Sequence, residues 1–357
     1  MYKLEIAQSF HEGLSKENFF DGAVEALLER DFFTLDKEAK TAYLYDLFNG
    51  LMLYDLKPEI IVSLYRALMK LDSYKREEVT IAEMAGYTVL ECTGSGKKPY
   101  KTLNISTPSI ITAVASGAKI IKKGSSTTSS VIGSSDLLYM LGLHEDTETT
   151  NKLDLLRNTG FSFINIERVI PVFNSFYNGY FYKPHILSYI LAADVTSLRG
   201  NKIVYGLSGA DVMKCCKCLI CNESCSDIAV YCSTENEMEY YDELIGNGIC
   251  SVAHKSKGSQ PTISQYEINT PSPTMLTAAM TKKESITAVV ELFKSHHNKS
   301  YCDVVCHNAG FYLLEAGVVN DLPTGKELAM DSLMSGRSYD KLVEIIKCSG
   351  GRPTWNE

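Results

Sequence analysis

Apolar residues recur every three to four positions between residues 14 and 69: Phe19, Ala23, Ala26 and Leu27, then Ala42, Leu44, Leu47 and Leu51, then Ile60, Ile61, Leu64 and Leu68. That spacing gathers them on one face of successive helices and predicts several short antiparallel helices. Ser15 stands before the first run with Asn18 three positions on, an N-cap signal that lacks the Glu or Gln of a capping box. The period then changes. Residues 87–92 form a compact apolar run that ends in a glycine-bearing loop, which predicts the first strand of an α/β sheet. Pro108, ahead of the run SIITAVASG, suits the first turn of a helix with Ser106 or Thr107 as N-cap. Ile120 and Ile121 predict a second short strand, and residues 136–141 a helix stopped by Gly142. Residues 144–158 read as a polar helix. Residues 160–189 carry four tyrosines and five phenylalanines, expected first as packing and second as a ring-stacking pocket. Further on, IVYGL, IAVYC and DVVCHNAGFYLL alternate with polar stretches, as strands of an α/β sheet do. Residues 324–347 predict two helices broken at LMSG.

Composition adds limits to this picture. The 357 residues are 45% hydrophobic, enough for two domains or one large α/β unit with an appendage. No apolar stretch reaches the length of a membrane span, and MYKLEIAQSFHEG is polar where a signal peptide is apolar, so a cytoplasmic protein is expected. Eleven cysteines without a secreted-scaffold spacing read as reduced thiols. A formal net charge of -8 argues against nucleic acid as a general partner.

Against that acidic background one block is cationic. Between Cys92 and Ser135 there is no Asp or Glu, yet Lys97, Lys98, Lys101, Lys119, Lys122 and Lys123 all fall there. The same block is dense in Gly, Ser and Thr, in CTGSG, NIST and GSSTTSSVIGSS. Small residues let backbone N–H groups approach phosphate oxygens, and hydroxyls add donors. The block predicts a polyphosphate site built from several loops.

These strings resemble the phosphate-binding core of the anthranilate phosphoribosyltransferase family, whose relatives include the pyrimidine nucleoside phosphorylases. The family carries a GTGGD loop, an NxST segment, a KHGNRxxSSxxGSAD segment and a following LG. Gly160-Phe161, Asp242-Glu243-Leu244 and His307-Asn308-Ala309-Gly310 fall in the family's order as well. The resemblance implies an α/β fold in which a small helical-bundle domain (residues 1–72 and 148–190) packs on a larger α/β domain (73–147 and 191–357) with a central sheet flanked by helices. It implies transfer of a phosphoribosyl group from phosphoribosyl pyrophosphate to an aromatic acceptor, with Mg²⁺ as cofactor, pyrophosphate as product, and a homodimer formed through the helical domain. Two other readings stay open: a nucleoside phosphorylase-like enzyme, and a non-catalytic binding relative.

By the same resemblance, Thr93, Gly94, Ser95 and Gly96 form the loop against diphosphate and ribose. Asn104, Ser106 and Thr107 bind diphosphate, Lys122 neutralises phosphate, and Ser129, Ser130 and Gly133 complete the donor site. Asp242 and Glu243, with Ser106, are the expected magnesium ligands; hard oxygen donors and few protein carboxylates suit that ion. Lys123, Ser125, Tyr180 and Lys183 are the expected acceptor contacts. No side chain is assigned as a general acid or base. Asp136 is either part of the donor motif or the acid at the start of the next helix.

The chain also departs from the family pattern. Cys92 replaces the first Gly of GTGGD, the loop aspartate is missing, and the loop is about two residues longer. KHGNR is KKGSS here, and where the family carries VRRELG, with an arginine for the acceptor carboxylate, ungapped alignment from Gly160 places Tyr180 or Phe181. A phenol lacks the fork that a carboxylate prefers. Arg168, Lys183 or His185 takes that role, or the acceptor has no such carboxylate. The rival chemistry is Cys215, Cys216, Cys218, Cys221 and Cys225, whose spacing suits Zn²⁺ or an iron–sulfur cluster, or small core residues on a helix. His307 is expected to pack in a loop.

Overall fold

A computed structural model describes residues 5–16, 22–74, 86–126, 132–145, 148–177, 180–276 and 281–355. Seven strands form one sheet: β1 (Val89–Gly94), β2 (Lys119–Gly124), β3 (Phe161–Asn165), β4 (Lys202–Gly206), β5 (Asp227–Thr234), β6 (Asn247–Lys255) and β7 (Thr262–Asn269). Their order is β3-β2-β1-β4-β5-β6-β7, with β1 to β5 parallel and β6 and β7 added antiparallel. Helices cover both faces, as a parallel sheet requires. Alternation along the strands sends Val204, Ala229 and Tyr231 to one core, shared with helices Ser106–Ala115, Lys299–Glu315 and Arg337–Cys348, and Ile203, Tyr205, Ile228 and Val230 to the other. The second core also holds helices Glu5–Lys16, Ala23–Asp31, Lys37–Leu51 and Pro58–Met69, together with the helical stretch that follows β3. The fold is thus a mixed α/β architecture with a central sheet and a helical bundle against one face.

Several elements differ from their sequence expectation for physical reasons. The first helix starts at Glu5 and contains Ser15 in its last turn, because Ala7, Phe10 and Leu14 already form a buried face; Asn18 and Phe19 lie outside the described residues. Ala26 and Ala42 point to solvent, and Val24, Leu28, Tyr43 and Phe48 fill the core in their place. β1 begins two residues later than expected and runs on through Gly94. Neither Ser106 nor Thr107 caps the next helix, whose N-cap position is Ile105; Asn104, one residue before it, accepts from the Thr107 N–H at 3.1 Å through Oδ1. The run DVVCHNAGFYLL is a helix, not a strand. Helix Lys299–Glu315 is buried on nearly every side, so its apolar residues show no one-sided period. His307 accordingly sits in mid-helix rather than in a loop, buried, its pKa lowered to about 4 first by burial and then by Lys326. β6 and β7 lack an apolar run because they form the half-exposed edge of the sheet. Among the described residues no helix is long and apolar enough to cross a membrane.

The helix Lys299–Glu315 meets helix Leu322–Met334 through two glycines. A Cβ added to Gly310 would lie 2.6 Å from the Lys326 backbone nitrogen, and one on Gly325 2.6 Å from the Gly310 carbonyl oxygen. Overpacking of that kind costs about 1–3 kcal/mol. Gly310→Ala is expected to lower stability by that order in chemical denaturation; an unchanged midpoint would contradict the close crossing.

Candidate active site at the carboxyl ends of the parallel strands

β2 and β3 lie to one side of β1, and β4 and β5 to the other. At such a switch the loops leaving neighbouring strands part and open a crevice at the strands' carboxyl ends. The cleft encloses about 140 Å³ and is lined by the loop after β1 (93–98), the end of β2 and its loop (122–126), Asn104, Ser106, Gly133, Ser134, Glu167, one face of helix Pro171–Tyr177, Asp242 and Glu243.

Asp242 reaches this place because two strand ends lack side chains. A Cβ on Gly94 would stand 2.4 Å from Asp242 Oδ2, and one on Gly206 2.1 Å from the Asp242 carbonyl oxygen. The Gly96 N–H donates to Asp242 Oδ2 at 2.6 Å, while Asp242 Oδ1 is buried with no hydrogen-bond partner among the described residues. Asn308, from helix Lys299–Glu315, clamps the next residues: its Oδ1 accepts from the Leu244 N–H at 2.9 Å, and its Nδ2 donates to the Leu244 carbonyl at 2.8 Å. The HNAG stretch therefore acts on the site through the backbone that carries the acidic pair. Ser95 ties the first loop to the loop after β4, its Oγ donating to Ser208 Oγ at 2.9 Å and accepting from the Ser208 N–H at 2.8 Å.

Four buried lysines meet here with different partners. Lys122, 1% exposed, places Nζ 3.2 Å from Ser106 Oγ. Burial lowers its pKa to about 8, while Cys92, Glu243 and Asp242 pull the other way. Lys98 pairs with Glu243 Oε2 at 2.6 Å, and burial pushes the Glu243 carboxyl up while Lys98 opposes it. Lys123 is committed elsewhere: its ammonium donates to Glu91 Oε2 at 2.9 Å and to the Ala193 carbonyl. Glu91 is held in turn by Arg199 at 3.2 Å and by the Gly200 N–H at 2.8 Å. Lys97 donates to Tyr177 Oη at 2.6 Å, contacts His185 Nε2, and lies over the rings of Tyr177 and Phe181. Desolvation lowers its pKa to about 7.

Of the expected donor residues, Thr93, Gly94, Ser95, Gly96, Asn104, Ser106, Lys122 and Gly133 line the cleft, with the expected ligands Asp242 and Glu243. Thr107 is wholly buried and does not line it. Ser129 and Ser130 lie outside the described residues. Asp136, in helix Ser134–Met140, pairs with Lys282 at 3.0 Å. Among the expected acceptor residues, Ser125 and Lys123 border the cleft, whereas Tyr180 and Lys183 are exposed and do not. Arg168 pairs with Glu145 at 2.8 Å, away from the cleft. At this side the cleft is lined instead by Ile170, Phe173, Asn174 and Tyr177. Their i, i+3, i+4 and i+7 spacing was the available signal. Glu167, whose Oε1 accepts from Ser126 N–H and Oγ at 3.1 and 2.6 Å, carried none. Helix Val212–Cys221 carries Cys215, Cys216 and Cys218 into the core, burial pushing their thiols up. Among the described residues no three His, Cys, Asp or Glu side chains are grouped to hold a metal by themselves.

Residues 86–177 match the glycosyl transferase family, a/b domain. The chain is 25% identical to the anthranilate phosphoribosyltransferase of Pyrobaculum arsenaticum over 282 residues, 73% of this chain and 77% of that protein. It is 26% identical to that of Shewanella amazonensis over 277 residues, 73% and 76% of the two chains. Its fold resembles the anthranilate phosphoribosyltransferase of Thermus thermophilus, with a TM-score of 0.70 at 18% identity over 96% of this chain and 99% of that one. It also resembles the Saccharomyces cerevisiae anthranilate phosphoribosyltransferase in complex with PRPP and Mg, with a TM-score of 0.72 at 16% identity over 98% and 99%. With the ordered motifs of residues 92–142 set at the carboxyl ends of a shared fold, residues 86–177 match a glycosyl transferase a/b domain and the chain is similar to the anthranilate phosphoribosyltransferases, which supports a pentosyltransferase enzyme.

Proposed function

We propose that this protein transfers the phosphoribosyl group of phosphoribosyl pyrophosphate to an aromatic acceptor and releases pyrophosphate, with Mg²⁺ bound. The observation that carries the reading is the convergence of the buried Lys122 ammonium, the Ser106 hydroxyl and the unpartnered Asp242 Oδ1 on one cleft. A desolvated ammonium beside a hydroxyl favours an anion. An orphaned carboxylate oxygen favours a hard cation, and magnesium is usually held by one or two carboxylates with substrate phosphates and water. The donor set therefore fits the ion: Asp242 and Glu243, with Ser106, would hold it, and it would neutralise charge on the departing pyrophosphate. Lys122 supplies fixed positive charge next to that group. Lys98 favours the ionised Glu243 carboxylate through their 2.6 Å pair, opposing the burial that raises its pKa. The loop from Thr93 to Gly96 supplies the close backbone wall. Little covalent chemistry falls to side chains, since the leaving group needs charge stabilisation and the acceptor needs orientation.

Titration calorimetry with phosphoribosyl pyrophosphate and Mg²⁺ tests the donor half, and a screen of aromatic acids and amines for pyrophosphate release tests the reaction. Binding without release for any acceptor would favour a non-catalytic relative. Lys122→Met is expected to lower turnover by about 10²–10³, the scale on which removing one charge-stabilising donor acts. Asp242→Asn keeps an acceptor for the Gly96 N–H and removes the charge, so half-saturation in Mg²⁺ is expected to rise about tenfold or more, about 1.4 kcal/mol; an unshifted magnesium curve would remove Asp242 from the site. Gly94→Ala places a methyl group on Asp242 and is expected to weaken magnesium dependence in the same direction.

A further inference from the structure

Lys97 belongs to the lengthened loop after β1 and is 6% exposed. Its surroundings are neutral: the Tyr177 hydroxyl, the His185 ring and the faces of Tyr177 and Phe181. His185 is itself buried, its pKa held well below the ordinary value by desolvation and then by Lys97. Among the described residues no carboxylate pairs with Lys97, whereas Lys98 has Glu243 and Lys123 has Glu91. The other charged groups along the cleft are engaged: Glu167 with Ser126, Asp242 with Gly96, Lys122 beside Ser106. A buried cation with only neutral partners lacks the counter-charge that ordinarily offsets its desolvation. It also lines the cleft together with Phe173 and Tyr177.

We infer that Lys97 is the specificity-determining residue of the acceptor half of the cleft, and that the acceptor it selects is a planar aromatic carboxylate whose ring lies against Phe173 and Tyr177. The inference rests on the reading that an acceptor shares this cleft with the phosphate donor. An acid brings the counter-charge that the loop withholds. An uncharged isostere leaves the ammonium buried without it, and a site built around a buried polar group rejects ligands that cannot pair with it. The basic group is supplied by the phosphate loop itself, so donor loop and acceptor are coupled through adjacent residues, Lys97 facing the rings and Lys98 facing Glu243.

Protonation follows with a definite sign. In the free protein Lys97 titrates near pH 7. A bound carboxylate favours its charged form and raises that value. Acid binding is therefore expected to take up about half a proton at pH 7 and close to one at pH 8, and almost none at pH 5.5, by linkage. Affinity for the acid should be flat below pH 7 and fall about tenfold per pH unit above it until the pKa of the complex is reached. A neutral amide should show neither trend.

The test is calorimetry on the whole protein, with and without phosphoribosyl pyrophosphate and Mg²⁺, using anthranilate, salicylate and 4-hydroxybenzoate, each against its carboxamide, in buffers of differing ionisation heat. At least one acid is expected to bind about 10–100-fold more tightly than its amide, the span of one charge-assisted hydrogen bond, with the proton uptake above. Lys97→Met is expected to abolish both that preference and the uptake. The uptake is read on the unaltered protein, so it stands even if the variant does not fold. No acid preferred over its amide, or preference without proton uptake at pH 8, overturns the inference. Donor binding that fails while the acid preference holds counts against the proposed reaction and not against Lys97.

Discussion

The site depends on a close approach that only glycine permits. Asp242 lies across the carboxyl ends of β1 and β4, its carboxylate where a Gly94 Cβ would be and its carbonyl where a Gly206 Cβ would be. Any side chain at either position would push the acidic loop off the strand ends and open the cleft to water. The Gly96 N–H and the Asn308 amide then fix the loop from either side, through Asp242 Oδ2 and the Leu244 backbone. Asp242 Oδ1 is left buried without a hydrogen-bond partner among the described residues after that fixation.

Charge is distributed around this point with a division of labour. Lys123, Glu91 and Arg199 form a buried network beneath the cleft that joins β1 and β2 to the segment before β4. Buried pairs add little net stability, and removing one member leaves an uncompensated charge, so this network acts as a strut. Lys98 balances Glu243. Lys122 and Lys97 carry no such pair, and burial lowers the pKa of both. Both of these lysines line the same cleft.

Much of this was legible in the chain itself. The helical period before residue 70, the change of period at residue 87 and the acid-free block from Cys92 to Ser135 located the bundle, the first strand and much of the lining of the cleft, because each rests on local backbone geometry. Where burial is two-sided the pattern disappears: helix Lys299–Glu315 reads as a strand because it is buried on nearly every side. The edge strand β7 was silent for the opposite reason, having one partner and mostly exposed side chains. Tyr180 and Lys183, placed by sequence offset, do not line the cleft, whereas Phe173 and Tyr177 do.

The sequence by itself determined which residues could hold an anion and a hard cation, and in what order along the chain, because Gly, Ser, Lys and paired carboxylates have intrinsic chemistry and the motif order constrains the fold. The fate of each lysine was a tertiary decision. Lys97, Lys98, Lys122 and Lys123 are alike as letters, yet one meets aromatic rings, one Glu243, one a serine hydroxyl and one Glu91. A cation's role is set by which charges and rings lie within a few ångströms, and elements distant in sequence supply those neighbours.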